Sequence, residues 1–436
     1  MMEMKWIGII MGIALGMGVL IWHLYSHKPN GRLGKRLHYS VRYWINRLRS
    51  ILSNHLWLSV IVWMGKSRNS SSPEKKMILV SGEPGSAGHR YRIIHMAESL
   101  RELGWQVSIY TSADFRFRLY RLAQVQWVHC WRVDFRPWHK DWDRFRALVA
   151  RFGLRWSYDL DDYLFEPQIA TPQYMDWLRV LGISTDHIQS YAISQQKVMA
   201  AADIFTAPTR YLADAGRNLN PAVALLPNGY DEEARTLSDS LRTRSAAGDG
   251  LLRIGYAGGS LSHQRDFQTI VPALAKVLAR YHETRLVVFG KMLSISEFPA
   301  LAPFRHQIED RNWVPQTHLP QELARFDINL APLEIQPFCH AKSELKYFEA
   351  ALVGVPTVAS PTAPFKEAIQ DGETGLLATS PQEWEEALIC LIENPQKRFE
   401  MGQKARQEVY RVFGPAARKE ALTNLIQQLQ LPPHPS

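Results

Sequence analysis

A short apolar run, a glycine-containing turn and a helical pattern follow one another twice in this chain, which strongly limits the folds open to it. The first copy begins at residues 77–80 and turns at residues 82–88, and the second begins at residues 251–256 and turns at residues 257–260. Buried strands that alternate with helices are typical of parallel sheets. A chain of 436 residues is long enough for two such domains. We therefore predict an α/β protein with two doubly wound domains that face a cleft.

The same reasoning assigns the remaining elements. Further strands are predicted at residues 106–110, 125–131, 156–160, 204–207, 223–226, 285–289, 327–330 and 357–359. Helices are predicted at residues 91–103, 266–281 and 343–352. The polar stretch from Asp231 to Gly250 indicates an interdomain linker.

These elements give five predicted segments. They are a membrane anchor with a basic segment at 1–70, an N-terminal Rossmann-like domain at 71–235, a linker at 236–250, a C-terminal Rossmann-like domain at 251–415, and a C-terminal helix and tail at 416–436. The last segment is expected to cross back to the N-terminal domain.

The formal net charge of +9 is concentrated at the N-terminus. Residues 1–70 contain ten Lys and Arg against one acid, whereas residues 71–436 contain 41 of each sign. Residues 6–25 lack Asp, Glu, Lys and Arg, and as a helix they would span about 30 Å, the hydrocarbon thickness of a bilayer. Bases next to an apolar stretch indicate a membrane anchor that contacts lipid, whereas a nucleic-acid-binding protein spreads its bases over a folded face. We predict a transmembrane helix and no nucleic-acid partner.

Seven Lys and Arg between residues 28 and 49 follow this helix, so the rest of the chain is predicted to lie in the cytoplasm, at the inner membrane, after a single pass. Three cysteines without metal-ligand spacing fit a reducing compartment. A second apolar run at 51–64 is expected to lie on the membrane surface, with a membrane hairpin as the alternative. Gly8, Gly12 and Gly16 recur at four-residue spacing, which permits close helix contact and a homodimer.

The most specific pattern is PFCHAKSELKYFEAALVGVPTVASPTAPFKEAIQDGETGLLA at residues 337–378. It resembles the donor-binding region of the family 4 glycosyltransferases and their GT-B relatives, the glycosyl transferases of group 1 type. The resemblance covers most of residues 75–430 and includes LPNGYD at 226–231, YAGGSLSHQRDF at 256–267 and YDLDDYLF at 158–165. It implies the GT-B fold and sugar transfer from a nucleotide-diphosphate sugar, with 71–235 as the acceptor domain and 251–415 as the nucleotide-sugar donor domain.

The resemblance also implies roles for individual residues. Glu349 matches the second of two acids separated by seven residues, the one that holds the nucleotide ribose, and a carboxylate suits this role because it accepts from both vicinal hydroxyls. The first acid would fall at Ala341, so Lys342, Ser343 or Glu344 is expected to replace it. Arg265 falls where the family usually has a phosphate-binding lysine, and Ser260 falls where an arginine is expected.

Departure of a nucleoside diphosphate leaves negative charge that cations and backbone N–H groups stabilise. Arg265, Lys342 and Glu349 are therefore predicted to be catalytic. The predicted donor site comprises Gly258, Gly259, Ser260, Arg265, Lys342, Ser343, Glu349 and Glu367. The nucleotide sugar is a co-substrate, and neither a cofactor nor a metal is expected.

The first glycine turn and the YDLDDYLF segment are predicted to shape the acceptor side of the cleft. The residues concerned are Gly85, Gly88, His89, Arg90, Arg92, Asp161 and Asp162. The neighbouring aspartates also suit a hard cation, but a strand-end turn explains them equally well.

Together these features predict a glycosyltransferase that acts on a membrane-proximal saccharide or lipid-linked acceptor of surface polysaccharide biosynthesis, and the resemblance implies retention at the anomeric carbon. The alternative is a catalytically silent GT-B scaffold that binds a nucleotide sugar or a partner, because the first acid of the pair is missing at Ala341 and Ser260 replaces an arginine.

Overall fold

Two parallel sheets of six strands, each covered by helices, organise the chain. The computed structural model describes residues 75–241, 249–258, 263–289 and 297–431. Within these ranges no helix combines the length and the apolar character needed to cross a membrane. The predicted anchor at 6–25, its three glycines and the apolar run at 51–64 lie outside the described residues.

The N-terminal lobe is built on the first sheet. Its strands are β1 (Lys76–Ser81), β2 (Gln106–Thr111), β3 (Trp127–Trp131), β4 (Arg155–Asp159), β5 (Ile204–Ala207) and β6 (Val223–Leu225). Its helices are α1 (87–102, with a π-helical turn at Arg90–Ile94), α2 (Ser112–Phe115), α3 (His139–Phe152), α4 (Asp176–Leu181), α5 (Thr185–Ala201), α6 (Arg210–Gly216) and α7 (Glu232–Leu241), and 3₁₀ turns occur at Leu119–Gln124 and Arg136–Trp138. The strand order is β2-β1-β3-β4-β5-β6.

The C-terminal lobe is built on the second sheet. Its strands are β7 (Leu252–Ala257), β8 (Thr284–Phe289), β9 (Ile308–Arg311), β10 (Ile328–Ala331), β11 (Thr357–Ala359) and β12 (Leu376–Leu377). Its helices are α8 (Gln264–Gln268), α9 (Val271–Arg280), α10 (Leu319–Leu323), α11 (Pro337–Ala341), α12 (Leu345–Leu352), α13 (Ala363–Ala368), α14 (Pro381–Glu393), α15 (Pro395–Val412) and α16 (Pro415–Gln428), and 3₁₀ turns occur at Pro299–Gln307 and Gln316–His318. The strand order is β12-β11-β10-β7-β8-β9.

Each sheet has a point where the strand order reverses. In the first sheet this point lies between β1 and β3, and in the second it lies between β7 and β10. Ligands of open α/β sheets bind outside the carboxyl ends of the strands at such a reversal. The topology therefore directs attention to the residues that follow these four strands.

The two lobes share apolar packing. Phe338 of α11 packs into a cluster of the N-terminal lobe that contains Leu164 and Ile188. Leu422 and Leu425 of α16 pack against Met77 of β1, so the chain returns to the first lobe at its C-terminal end.

Three details differ from the prediction. The helix expected at 266–281 is two helices, α8 and α9, because Pro272 near the start of α9 cannot donate a helical hydrogen bond. Strands β9 and β12 were not predicted. Helix α7 occupies the first half of the polar stretch read as a linker.

Candidate functional site

Four charged side chains meet at the carboxyl edge of the first sheet. Arg132, directly after β3, donates to Asp161 and Asp162 after β4 and, at 3.0 Å, to Glu83 after β1. These carboxylates raise the pKa of Arg132, although burial opposes the shift. The predicted pair Asp161 and Asp162 thus holds a guanidinium that the sequence analysis did not include.

The backbone at this edge is tightly constrained. Arg132 has a φ of 50°, in the left-handed region that non-glycine residues rarely adopt. A Cβ atom on Gly82 would lie 2.0 Å from the Arg132 carbonyl oxygen, so only glycine fits there. Such strain persists only where surrounding contacts fix it, and it clusters at functional sites.

Two predicted acceptor-side residues, Gly88 and His89, lie beside this cluster. A Cβ atom on Gly88 would lie 2.7 Å from the Trp131 ring and 3.0 Å from Asp161 Oδ2. His89 Nδ1 lies 2.9 Å from Ser81 Oγ, and burial lowers the pKa of His89. Gly85 is exposed in the turn before them and has a φ of 88°.

Arg92 does not reach the acceptor side. Its side chain is 1% exposed and pairs with Asp159 of β4, Nε lying 2.9 Å from Oδ1. It also donates to the Leu226 carbonyl at 2.6 Å and to Asn228 Oδ1 at 3.0 Å. We therefore correct the predicted role, since all these contacts join parts of the N-terminal lobe.

Arg90 is similarly engaged. It donates to Asp231, to Glu233 at 3.1 Å and to His95 Nε2 at 3.2 Å. His95, Glu98 and Asp231 place their potential metal ligands within 4.8 Å of one another, but the guanidinium already supplies the cation there. We assign no metal to this group.

In the C-terminal lobe, Lys342 and the buried Asp266 form the centre of the site. Lys342 Nζ lies 3.3 Å from Asp266 Oδ2, which also lies 2.8 Å from His263 Nδ1. Burial opposes ionisation of Asp266, but Lys342, His263 and the Glu334 N–H lower the pKa of Asp266. Burial and the nearby Lys342 lower the pKa of His263 to about 4.

Lys346 lies in α12, four residues after Lys342, and has a different environment. Its Nζ donates to the Ala257 carbonyl at the end of β7, at 3.2 Å, and lies 5.6 Å from the Tyr256 ring centroid. No carboxylate among the described residues lies within 4.0 Å of it. Burial lowers the pKa of Lys346, and Glu349 only partly offsets this. The reversal point of the second sheet therefore carries a cation that has no ion-pair partner in the part of the chain that the structure describes.

Glu349 lies on the same helix and contacts the other lobe. Its carboxylate accepts from the Tyr91 hydroxyl, and burial raises the pKa of Glu349 although Tyr91 and Lys346 act against the shift. The charges of Lys342 and Glu349 both act on Lys346. The structure thus brings two predicted catalytic residues, Lys342 and Glu349, close enough to Lys346 for their charges to act on it.

The third predicted catalytic residue points elsewhere. Arg265 donates to the carbonyls of Pro172 and Gln173 in the N-terminal lobe, at 3.2 and 2.8 Å, and to Glu334 at 2.8 Å. Its backbone adjoins Asp266, but its guanidinium joins the two lobes. In this arrangement Arg265 is not directed at Lys342 and Glu349.

The other predicted donor residues occupy varied positions. The Gly258 N–H donates to the Phe289 carbonyl at 3.0 Å, so it is engaged within the sheet. Gly259 and Ser260 lie outside the described residues. Ser343 accepts from Asn228 at 2.9 Å, whereas Glu367 lies on the surface 3.7 Å from Arg210.

Ala341, where the first acid was expected, is buried in an apolar cluster of the N-terminal lobe, and its carbonyl accepts from Thr209. Glu344, three residues later, is 7% exposed and forms no ion pair with any described residue. Burial raises the pKa of Glu344 to about 7. Three residues were proposed to replace the missing acid. Lys342 pairs with Asp266, Ser343 contacts Asn228, and Glu344 has no ion-pair partner among the described residues.

Sequence reasoning missed Arg132, Tyr91, Lys346 and Asp266 as site residues. Signals for two of them exist in the sequence. Arg132 is the first charged residue after an apolar run, where strand ends place functional groups. Lys346 lies three residues before Glu349, so the two share one face of α12.

Comparison with known proteins agrees with this architecture. Residues 252–394 match the family model for glycosyl transferases of group 1. No curated protein matches the chain by sequence.

Several solved structures share the fold. HepE from Anabaena, in complex with UDP, has 15% identity and a TM-score of 0.56 over 81% of this chain and 99% of its own. Sucrose-phosphate synthase from Thermosynechococcus elongatus has 15% identity and a TM-score of 0.58 over 82% and 99%. A glycosyltransferase from Rickettsia africae has 11% identity and a TM-score of 0.57, also over 82% and 99%. The match over residues 252–394 and the fold shared with these structures agree with the predicted resemblance to group 1 type glycosyltransferases of the GT-B fold.

Proposed function

We propose that the protein transfers a sugar from a nucleotide-diphosphate sugar, whose diphosphate binds beside Lys346 at the carboxyl end of β7. One observation carries this proposal. The Lys346 ammonium lies at the reversal point of the second sheet and has no ion-pair partner among the described residues. A partly buried cation without a counter-charge is costly in the free protein, and an anionic ligand would offset that cost.

The neighbouring groups suit the same ligand. Lys342, held by Asp266, supplies a second cation, and burial of the site strengthens its attraction to the departing diphosphate. The Glu349 carboxylate can accept hydrogen bonds from the ribose hydroxyls. The Tyr91 hydroxyl, which now donates to it, then either moves away or donates alongside them. Both groups act on charge or orientation, which is what glycosyl transfer from a phosphate leaving group requires.

The choice of donor and the stereochemistry extend this proposal. HepE, which shares the fold, binds UDP and UDP-glucose, so a uridine diphosphate sugar is the first donor to test. Retention at the anomeric carbon follows from the family resemblance. The nucleotide sugar is a co-substrate, and we propose no separate cofactor.

We further propose an acceptor near the cytoplasmic face of the inner membrane, a saccharide or lipid-linked precursor. The apolar run at 6–25 and the bases that follow it support a single-pass anchor whose catalytic lobes lie in the cytoplasm. Deletion of residues 1–66 should then reduce transfer to a membrane-embedded acceptor while leaving donor hydrolysis unchanged. Equal transfer by both forms would contradict the anchored arrangement.

The central test is a Lys346→Met variant, which keeps much of the side-chain length and removes the charge. We expect hydrolysis of the accepted nucleotide sugar to fall on the order of 10²- to 10³-fold, as when one oxyanion donor is removed. The thermal midpoint should stay the same or rise because an unpaired buried cation is lost. Release of nucleoside diphosphate from a panel of nucleotide sugars measures the first effect.

The matched control is Lys276→Met, an exposed lysine of the same lobe that pairs with Glu385. It should leave hydrolysis unchanged. Equal activity of the Lys346 and Lys276 variants would reject the diphosphate site. Nucleotide-sugar binding by the wild type without hydrolysis or transfer would instead support the silent-scaffold alternative.

A further inference from the structure

A cavity of about 620 Å³ lies in the N-terminal lobe, next to the strained edge of the first sheet. One wall comes from the residues that follow β1, β3 and β4. Its charged members are Glu83, Arg132, Asp134, Arg136 and Asp162. The cavity therefore begins at the reversal point of the sheet, where the topology favours ligand binding.

Most of the other lining residues are apolar. They come from the chain that follows β4, from helices α4 and α5 and from the segment between these helices, and they are Leu164, Trp177, Leu181, Ile183 and Ile188; His187 and Tyr191 of α5 also line the cavity. Leu181, the last residue of α4, is 60% exposed. Large apolar side chains that stay open to solvent in a cavity are typical of a binding surface.

The charged side chains of the polar wall are already paired with one another. Arg132 pairs with Glu83 and Asp162, and Arg136 pairs with Asp134 at 2.9 Å while its guanidinium lies 4.9 Å from the Tyr191 ring centroid. A phosphate entering the cavity would meet carboxylates and no unpaired guanidinium. A ligand hydroxyl, in contrast, can donate to the open oxygens of these carboxylates.

We infer that this cavity binds a neutral saccharide that carries an apolar group, the saccharide against the carboxylates and the apolar group against Trp177 and Leu181. The inference rests on the proposed function, because it treats the occupant as the acceptor. The inference excludes acceptors that place a charged group inside this cavity. Asp162, one of the lining carboxylates, lies close enough to Lys342 for the charge of this lysine to act on it.

Equilibrium binding to the full-length protein in phospholipid nanodiscs tests this inference without requiring turnover. The probes are phenyl and methyl β-glycosides of glucose, galactose, mannose and N-acetylglucosamine, together with phenyl phosphate, measured by calorimetry. For at least one sugar the phenyl glycoside should bind about tenfold more tightly than the methyl glycoside, since the phenyl group buries more apolar surface. Phenyl phosphate should bind more weakly than that phenyl glycoside.

Two variants locate the effect. Leu181→Asp should remove the preference for the phenyl glycoside, and Leu181→Asn should do the same without adding charge. Ile193→Asp is the matched control, because Ile193 is a 45% exposed apolar residue of α5 that does not line the cavity. It should keep the preference.

The proposal is overturned if no phenyl glycoside binds at millimolar concentration, if phenyl phosphate binds most tightly, or if the Leu181 and Ile193 variants behave alike. Donor hydrolysis measured on the same samples separates this result from the proposed function. The Ile193→Asp control should hydrolyse the nucleotide sugar at the wild-type rate. Absence of hydrolysis in the wild type would count against the donor site and leave the glycoside binding result intact.

Discussion

The two lobes differ in how they accommodate buried charge, although the C-terminal lobe also contains the buried pair of Lys342 and Asp266. In the N-terminal lobe Arg92 is paired with Asp159, and Arg132 is paired with the carboxylates of neighbouring strand ends. In the C-terminal lobe, Lys346 and Glu344 lie at or just before α12 without an opposite charge within ion-pair distance among the described residues. We infer that the paired charges fix the shape of the first lobe. We propose that the unpaired Lys346 and Glu344 of the second lobe contribute to ligand binding.

The largest expected effect comes from removing one member of a buried ion pair in the N-terminal lobe. Arg92→Met should lower the free energy of unfolding by about 3–5 kcal/mol, because it leaves the Asp159 carboxylate buried with Thr206 as its remaining side-chain partner. Urea denaturation followed by circular dichroism measures this change.

The matched control is Arg101→Met, since Arg101 is an exposed residue of the same helix. It should change stability by less than about 0.5 kcal/mol. Adding Asp159→Leu to Arg92→Met should recover much of the loss, because the unpaired charge is then removed. A loss of under about 1 kcal/mol for Arg92→Met would show that this pair does not fix the lobe.

The sequence predicts the strands of both lobes much better than the partners of their charges. Buried parallel strands are apolar runs that end at glycine or polar turns, so the position of β5 and β11 can be read directly. Strand β9 carries three charged residues at the sheet edge, and β12 has only two residues, so neither shows an apolar run.

Charge partners depend on how distant segments come together. Arg90 and Arg92 lie two residues apart, yet one reaches Asp231 and the other Asp159. The π-helical turn that contains both changes the directions in which their side chains leave the helix. No residue pattern within the turn indicates these partners, and the same holds for Arg265 and its contacts in the other lobe.

The second prediction concerns the unpaired acid. The pKa of Glu344 is raised from its ordinary value to about 7, so the folded state favours the protonated carboxyl. Stability contributed by this group is therefore present at pH 4.5 and is lost as the pH rises towards 7. The loss corresponds to about 3 kcal/mol.

Glu344→Gln should accordingly raise the thermal midpoint by several degrees at pH 8 and leave it nearly unchanged at pH 5. Calorimetry at the two pH values measures the difference. Glu367→Gln, at an exposed acid of the same lobe, should show no such pH dependence. If Glu344→Gln has equal effects at both pH values, the carboxyl is not held in its protonated form. If Glu344→Gln also loses donor hydrolysis, we would infer that Glu344 contacts the donor sugar as well.

The smallest expected effect concerns the boundary between the lobes. Residues 172–179, which we term the clasp, meet the C-terminal lobe through Arg265, through Gln336, which donates to the Tyr174 carbonyl at 2.9 Å, and through Arg179, which donates to Gln264 at 3.0 Å. Arg265→Met removes hydrogen bonds to two clasp carbonyls. Loss of about 1 kcal/mol should raise amide exchange in the clasp about fivefold.

Hydrogen exchange followed by mass spectrometry measures this change, with Arg285→Met as the control because Arg285 bonds carbonyls of its own lobe. The wild type with UDP then sharpens the comparison. If the diphosphate recruits Arg265, as the family resemblance implies, UDP should raise exchange in the clasp and Arg265→Met should abolish that response. If UDP leaves the clasp unchanged, Arg265 belongs with the paired charges that join the lobes, and Lys342 and Lys346 alone supply the cations for the donor.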